Sequence, residues 1–442
     1  MVKHYLRQRK LIDMKYDRID SALFIENRER FCAKIKPNSI AIFHSNDQMP
    51  RSGDTEFRFR QNADLFYLSG VDQEETILFL YPECPNPKLR EVLFVRETNE
   101  YLAVWEGDKL TTEQATEVSG ISVVKWNDEF SNLLEQMMPH ATNVYLNLNE
   151  NDRAHQTVTD RSKRFALEMQ QRFPLHNYER SAPELVKLRS RKHPVEVELI
   201  QKSINITEKA FRRVLEFVKP GVMEFEVEAE IIHEFIRNRA SGHAYDPIIA
   251  SGANACVLHY ITNDMECKDG DLLLMDFGSE YANYAADLSR TIPVNGRFTD
   301  RQKAVYNSCL KVMKRATEML VPGILLEEYH KEVGKAMESE LIGLGLLDKT
   351  EVDNQDPEKP LFKKYFPHGT SHFMGIDVHD LGCRYRPIRA SSVFTCEPGI
   401  YIREENIGVR IENDILVTEN GPVDLMASIP REVEEIEDLM NE

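Results

Sequence analysis

Hydrophobic and polar residues alternate in two different ways along the chain, and this difference divides it into two parts. From about residue 16 to residue 180, short apolar runs with the period of a strand are separated by helical patterns. The predicted strands are residues 39–43, 76–81, 91–95 and 143–148. This pattern is typical of an α/β domain. Residues rich in charge and in turn-formers follow, so we predict one domain over residues 1–178 and a second over residues 179–442.

The second part repeats one pattern twice. One amphipathic helix begins after Pro194 and ends at Pro220-Gly221, and another begins at a capping box of Thr299 and Gln302 and ends at Pro322-Gly323. In each half a further helix follows, then an apolar strand with an acid at its end, then a second acidic strand. The repeat is roughly 100–125 residues long. It indicates an internal duplication, in which each half brings two carboxylates to a pseudo-twofold assembly.

The chemistry is concentrated around residues 367–380, which contain three histidines. Two isolated acids, Asp276 and Asp287, precede this segment, and two more, Glu397 and Glu412, follow it. Four carboxylates and one imidazole suit a pair of hard divalent ions that share oxygen ligands. Two ions about 3.5–4 Å apart are a common means of activating water for attack on an amide. The sequence therefore predicts a metallohydrolase.

Each acid also has a simpler interpretation. An aspartate such as Asp276 at a strand end is often a turn residue, and Glu412 would be solvated on an alternating strand with Arg410 as its partner. Against this, a hairpin around residues 281–283 would set Asp276 beside Asp287, and their repulsion requires a nearby cation. We interpret the four acids together as metal ligands, because they recur in duplicated contexts.

The histidines are assigned different roles. His372 is predicted to be the metal-binding imidazole, since three ligating histidines beside four acids would be unusual. His368 and His379 are predicted to hold the substrate carbonyl or its oxyanion. For His259, a structural role and a functional role both remain open. The other histidines, among them His44, are predicted to be surface residues.

Composition narrows the class of protein. The chain has 55 Lys and Arg against 73 Asp and Glu, a net charge of −18, which argues against nucleic-acid binding. Its seven cysteines are scattered and contain no CxxC pair, as expected in a reducing compartment. No run approaches the ~20 apolar residues of a membrane helix, and the start lacks the apolar core of a signal peptide. We therefore predict a cytoplasmic protein without a membrane partner.

Four motifs carry a resemblance to a known family: LLLMDFGSEYANYAADLSRT, HGTSHFMGIDVHD, EPGIYI and GVRIEND. With them the chain resembles aminopeptidase P (Xaa-Pro aminopeptidase), one of the pita-bread metallopeptidases. The fold implied is α/β (α+β), with a creatinase-like N-terminal domain and a duplicated pita-bread catalytic domain. The resemblance implies two divalent ions, manganese in the first place and cobalt or zinc as alternatives. The ligands it implies are Asp276, Asp287, His372, Glu397 and Glu412.

The resemblance also implies roles within the site. Asp287 and Glu412 would bridge the ions, and Glu397 would carry a proton to the leaving proline nitrogen as well as bind metal. His259 and His379 would hold the substrate carbonyl. The remaining residues near the substrate would be His368, Trp105 and Arg410 at the proline pocket, Arg189, the supporting Tyr245, and Asp54 from a neighbouring subunit.

The function implied is removal of an N-terminal residue from peptides with proline in second place, by a homodimer or homotetramer. The nearest alternative is a prolidase, which cleaves Xaa-Pro dipeptides and needs a positive group, such as Arg189 or Arg410, for the proline carboxylate. A non-catalytic pita-bread binding protein is the alternative from another class, and such proteins typically lose the metal ligands that this chain retains.

Overall fold

The structure, a computed structural model, describes residues 16–154 and 157–442. Two compact units divide the chain between Leu188 and Arg189. The predicted limit between residues 178 and 179 lies ten residues before this division and stays a prediction. Within the described ranges, no helix combines the length and the apolar character needed to cross a bilayer.

A six-stranded mixed sheet forms the centre of the N-terminal unit, in the order β6-β5-β4-β1-β7-β8. Its strands are β1 (Ser39–His44), β4 (Ile77–Leu80), β5 (Glu91–Val95), β6 (Val124–Trp126), β7 (Asn143–Leu146) and β8 (Asn177–Arg180). The four strands predicted from the apolar runs are present. Central strand β1 pairs with β4 antiparallel and with β7 parallel, and it is buried along its whole length. The exposed strands β2 (Pro50–Ser52) and β3 (Thr55–Glu56) form a separate hairpin.

Seven helices accompany these strands among the described residues up to Arg189. They are α1 (Ala22–Cys32), α2 (Ala63–Ser69), α3 (Glu100–Glu106), α4 (Thr112–Ser119), α5 (Phe130–Met137), α6 (Arg161–Arg172) and α7 (Ala182–Arg189). Phe130 and Phe165 belong to the main apolar core of this unit.

The surface position predicted for His44 is wrong. His44 is the last residue of the central strand, only 5% exposed, and its ring packs against Phe130 and Phe165 with centroid distances of 5.8 and 4.2 Å. A polar residue at a strand end carries no sequence signal that two helices cover it. The physical reason for its burial is therefore long-range packing against α5 and α6.

The helices of the second unit follow the predicted duplication. α8 (Pro194–Phe217) packs against α9 (Glu224–Arg237), and α10 (Asp300–Met319) packs against α11 (Leu326–Gly343). The predicted capping box is confirmed, because Thr299 accepts from the amide of Gln302 while the Gln302 side chain accepts from the amide of Thr299. Two short helices, α12 (Lys349–Asp353) and α13 (Val433–Leu439), complete the set described here.

The strands of this unit form two similar antiparallel sheets. The first contains β10 (Ile248–Ser251), β11 (Leu272–Phe277) and β14 (Leu288–Pro293), and the second contains β15 (Val393–Cys396), β18 (Asn413–Thr418) and β19 (Gly421–Asp424). Smaller sheets contain β9 (Gly242–His243), β12 (Ser279–Tyr281) and β13 (Tyr284–Ala285), and β16 (Gly399–Ile402) with β17 (Ile407–Arg410). Each large sheet contains the apolar strand that leads to a predicted acidic ligand, which is β11 in the first sheet and β15 in the second.

The single strand predicted around Glu412 is wrong, because two separate strands are found there. Glu412 was expected on a single alternating strand, but β17 ends at Arg410 and β18 begins at Asn413. The two strands belong to different sheets. At the break, the amide of Glu412 donates to the carbonyl of Ser289 in the first half, at 3.1 Å. The backbone therefore leaves one sheet for the other at Glu412.

Candidate metal centre

The duplicated strands bring the predicted acids together from both halves. Asp276 lies on β11, and Asp287 immediately precedes β14. The predicted hairpin between them is confirmed: Ala282 and Asn283 have φ of 52° and 64°, as a two-residue type I′ turn requires, and Tyr281 pairs with Tyr284. The Tyr245 hydroxyl donates to both acids, to Asp276 Oδ1 at 2.6 Å and to Asp287 Oδ1. The two carboxylates thus share one donor.

Reciprocal hydrogen bonds join the two halves next to these acids. The amide of Asp287 donates to Asp414 Oδ2 at 3.1 Å, and the amide of Glu412 donates to the carbonyl of Ser289 at 3.1 Å. Ser289 Oγ also donates to Glu412 Oε2 at 2.7 Å. Glu412 is 1% exposed. It is therefore a buried carboxylate at the junction of the halves, and not a solvated residue of a strand face.

A cation fits between Asp287, His372 and Glu412. These side chains each offer one ligand atom, and the three atoms lie within 4.8 Å of one another. His372 Nδ1 lies 3.0 Å from the carbonyl of Phe373, which can only accept, so Nδ1 carries a proton. Nε2 then points its lone pair at Asp287 Oδ2, 3.5 Å away, and at Glu397 Oε1, 3.6 Å away. This arrangement requires either a second proton or a metal ion between these atoms.

The electrostatics of the carboxylates agree with this fit. Burial and the neighbouring acids raise the pKa of Glu397 to about 7 and that of Glu412 well above its usual value. Burial likewise raises the pKa of Asp276, in part against the opposing charge of Arg410. A group of carboxylates that is hard to ionise without a counter-charge is the environment expected for the ligands of divalent cations.

Arg410 and Tyr245, predicted near the substrate, both contact the acids. Arg410 donates to Asp276 Oδ2 at 2.6 Å, to Ser289 Oγ at 2.8 Å and to the hydroxyl of Tyr401 at 3.0 Å. The predicted alternative pairing of Arg410 with Glu412 is replaced by a link through Ser289. Sequence reasoning missed Ser289 and Tyr401, although both lie in quoted motifs, Ser289 in LLLMDFGSEYANYAADLSRT and Tyr401 in EPGIYI.

The three remaining histidines of interest differ in exposure. His368 is half-buried, and its Nε2 lies 2.8 Å from the hydroxyl of Tyr401, while its Nδ1 lies 3.9 Å from Glu397 Oε2. Burial and the charge of Arg410 lower the pKa of His368 to about 4. The ring of His379 is exposed and makes an edge-to-face contact with His372, with centroids 4.5 Å apart. His259 is also exposed, on the loop that follows β10.

The other predicted residues lie apart from this cluster or in the other unit. Arg189 is buried and pairs with Asp377 at 2.8 Å and with Asp380. Asp54 and Trp105 belong to the N-terminal unit, where both are exposed, Trp105 to 75%. Exposure of a tryptophan to this extent is unusual for a side chain of its size.

Known proteins resemble nearly the whole chain. The family model for the aminopeptidase P N-terminal domain matches residues 24–145, and the model for metallopeptidase family M24 matches residues 198–419. The chain is 34% identical to the Xaa-Pro aminopeptidase of Haemophilus influenzae, over 95% of this chain and 97% of that protein.

Solved structures agree with the sequence comparison. Zn-substituted Escherichia coli aminopeptidase P in complex with product is 33% identical, with a TM-score of 0.85, and the match covers 96% of this chain and 99% of that one. Pseudomonas aeruginosa aminopeptidase PepP is 31% identical, with a TM-score of 0.86, over 96% and 98% of the two chains. The predicted resemblance to aminopeptidase P and the predicted fold class are thereby confirmed, and the chain belongs to metallopeptidase family M24.

Proposed function

We propose that this protein is a metal-dependent Xaa-Pro aminopeptidase, which releases the N-terminal residue from peptides with proline in second place. The observation that carries the proposal is the convergence of Asp287, His372 and Glu412, whose ligand atoms lie within 4.8 Å of one another. Asp276 and Glu397 lie beside them through shared partners. The similarity to Xaa-Pro aminopeptidases over nearly the whole chain supports the choice of substrate class.

The five predicted ligands would hold two divalent ions. Asp287 and Glu412 would bridge them, Asp276 and His372 would each hold one, and Glu397 would complete the set. Manganese suits a site with mainly oxygen ligands and one imidazole, and cobalt or zinc are the alternatives. When bound, the ions supply Lewis acidity and lower the pKa of a water molecule.

The residues of the chain then supply proton transfer and orientation. Glu397 would receive a proton from the water and deliver it to the proline nitrogen, and its position between His372 and His368 supports this role. His259 and His379 would donate to the substrate carbonyl as negative charge develops on it. Both rings are exposed in the catalytic unit, so they are accessible to a peptide.

We propose that His368 and Arg410 support the proline pocket from within the chain. The hydroxyl of Tyr401 is shared between His368 Nε2 and Arg410 Nη1, which holds the two side chains in one network. Tyr245 would act on the ligands Asp276 and Asp287, to both of which it donates, rather than on the substrate.

The N-terminal unit would contribute through assembly. We propose a homodimer or homotetramer in which Asp54 and Trp105 reach the site of a neighbouring subunit. Their exposure, and the lack of buried residues in α3, support such a role. We also retain residues 1–178 and 179–442 as the two domains, since the two family matches fall on either side of this limit. The seven unpaired cysteines support a reducing, cytoplasmic location.

The hydrogen bonds of Arg189 and Arg410 argue against the alternative function, that of a prolidase. Capture of a proline carboxylate is strongest with a bidentate arginine. Arg410 already donates to Asp276, Ser289 and Tyr401, and Arg189 already pairs with Asp377 and Asp380. Neither offers its fork to a substrate carboxylate, which favours cleavage of longer peptides.

The test is a comparison of kcat/KM for Xaa-Pro, Xaa-Pro-Yaa and a longer peptide on metal-loaded protein. We expect the tripeptide and the longer peptide to be cleaved, and peptides with alanine in second place to be poor substrates. Activity confined to the dipeptide would identify a prolidase. A protein that takes up no metal and hydrolyses none of these peptides would be the non-catalytic binding protein.

A further inference from the structure

The loop from residue 374 to residue 380, which carries His379, ends in a buried carboxylate held by two cations. Asp380 Oδ2 accepts from Lys192 Nζ at 2.7 Å, and Asp380 Oδ1 accepts from Arg189 Nη2. The side chains of these three residues are at most 3% exposed. Arg189 also pairs with Asp377 in the same loop, at 2.8 Å. A buried carboxylate of this kind is costly to leave without its partners, so the pairs fix the end of the loop.

The loop backbone closes tightly around this ion cluster. The amide of Asp380 donates to the carbonyl of Phe373 at 2.9 Å, and the amide of Gly375 donates to the carbonyl of Asp377 at 3.0 Å. A Cβ atom on Gly375 would lie only 2.7 Å from Lys192 Nζ and would also overlap the Asp380 carboxylate. Glycine is therefore required here, because both charged groups lie directly against the backbone.

The two cations are themselves anchored outside the loop. Lys192 Nζ donates to the carbonyl of Arg189 at 2.6 Å, and the amide of Lys192 donates to the carbonyl of Ser391 at 2.6 Å. The amide of Ser391 in turn donates to the carbonyl of Val417 on β18, at 2.8 Å. The segment of residues 189–192 thus connects the histidine loop to the sheet of the second half.

We infer that Lys192 and Arg189 are positioning residues for His379, which they hold through Asp380. The ion pairs of Asp380 fix the backbone at the end of this loop, from which the ring of His379 makes its edge-to-face contact with His372, with centroids 4.5 Å apart. The next residue in the chain is Asp380. This inference rests on the proposed function, in which His379 donates to the substrate carbonyl, and it assigns Arg189 to the support of that histidine instead of to the substrate.

The inference is tested with Lys192→Met in the full-length, metal-loaded protein. We expect kcat for an Xaa-Pro-Yaa peptide to fall on the order of 10- to 100-fold, the effect of a small misplacement of a reacting group. KM and bound metal should stay near their wild-type values. The matched control is Lys311→Met, which removes an exposed lysine of the same unit that pairs with Glu340 at 3.4 Å and should leave kcat unchanged.

A double-mutant cycle separates positioning from general damage. In a His379→Ala background, Lys192→Met should change kcat by less than about 2-fold, because the group that it positions is already absent. Equal losses in both backgrounds would overturn the inference. If Lys192→Met does not fold, Asp377→Asn, which removes a half-exposed partner of Arg189, should show the same non-additivity, and additive losses would again overturn it.

A crystal structure of Lys192→Met gives a readout that does not depend on activity. We expect the ring of His379 to leave its contact with His372, while the carboxylate cluster keeps its geometry. An unchanged contact would overturn the inference, even if the variant were less active. If the wild-type protein cleaves no Xaa-Pro peptide, the proposed function fails. The position of His379 in the Lys192→Met crystal structure would still decide whether Lys192 holds this histidine.

Discussion

Two histidines in different units are almost equally buried and yet meet opposite surroundings. His372 in the catalytic unit is 7% exposed, and His44 in the N-terminal unit is 5% exposed. Burial alone would lower the pKa of both imidazoles. For His372 the carboxylates of Asp287 and Glu397 outweigh burial and raise the pKa, whereas for His44 burial, with some help from the charge of Arg161, lowers the pKa to about 3.

The comparison shows that the neighbours of a buried imidazole, and not its burial, indicate what it does. His44 is packed among phenylalanine rings, and neither ring nitrogen has a hydrogen-bond partner within the described structure. It acts as an apolar residue that must stay neutral. His372 has one nitrogen fixed by a carbonyl and the other directed at carboxylates, which is how metal-binding histidines are oriented.

The largest expected effect comes from removing Glu412, a carboxylate that would bind metal beside His372. Glu412→Ala should release metal and reduce kcat/KM to below about 1/10⁴ of the wild-type value, because the ions supply both water activation and charge stabilisation. Bound metal per chain and peptide hydrolysis are measured together. Glu332→Ala, which removes a half-exposed glutamate paired with Lys335, is the control. A Glu412→Ala protein that keeps two ions and substantial activity would contradict the assignment.

His379→Ala separates the histidines that bind metal from those that bind substrate. We expect turnover to fall by about 10²–10⁴, the usual effect of losing an acid–base or oxyanion group, with metal content nearly intact. The reason is that His372 already supplies the imidazole of the carboxylate-rich site. Loss of metal together with activity would make His379 a ligand and would show that the histidines are divided wrongly.

Metal removal should act on one unit and spare the other. Ions present at about 100 times their dissociation constant stabilise the native state by ~2.7 kcal/mol, so chelation should lower the unfolding temperature of the catalytic unit. The only two tryptophans of the chain are Trp105 and Trp126, and Trp105 is proposed to reach a neighbouring site, so the measurement uses a Trp105→Phe protein, in which the one remaining tryptophan, Trp126, belongs to the N-terminal unit. Calorimetry should show a shift that tryptophan fluorescence does not. Equal shifts in both signals would contradict this expectation.

The sequence predicts the metal centre well because its determinants are local. The apolar strand before Asp276 and the short hairpin after it fix where the two aspartates lie, and both features can be read within about twenty residues. The duplication then predicts that the second half repeats the arrangement. These predictions need only periodicity, turn chemistry and the repulsion between acids.

Other features depend on contacts that are remote in sequence, and the sequence does not reveal them. Arg410 reaches Asp276 and Arg189 reaches Asp380, over more than one hundred residues in each case. In the sequence, an arginine near a motif that binds the substrate cannot be distinguished from one that supports a metal-binding residue. The burial of His44 depends in the same way on helices that follow it by roughly one hundred residues.

The smallest expected effect concerns the pH dependence of the N-terminal unit. The pKa of His44 is about 3 in the folded protein and near 6.5 in an unfolded chain. Between these values the unfolded state binds a proton that the folded state does not. The stability is therefore complete above about pH 6.5 and is lost as the pH falls toward 3.

His44→Phe should remove this dependence, because phenylalanine fills an aromatic environment and takes up no proton. From pH 7.5 to pH 5 the unfolding free energy of the wild-type unit should fall by about 2 kcal/mol more than that of the variant. The reason is that pH 5 lies roughly 1.5 units below the pKa of the unfolded histidine, and each unit is worth about 1.36 kcal/mol. Urea unfolding of the full chain, followed by tryptophan fluorescence at both pH values, measures the difference. His140→Phe, at an exposed position of the same unit, is the matched control and should keep the wild-type slope. A His44→Phe protein with that same slope would show that other groups set the acid sensitivity, and that the neutral imidazole of His44 does not distinguish the two units.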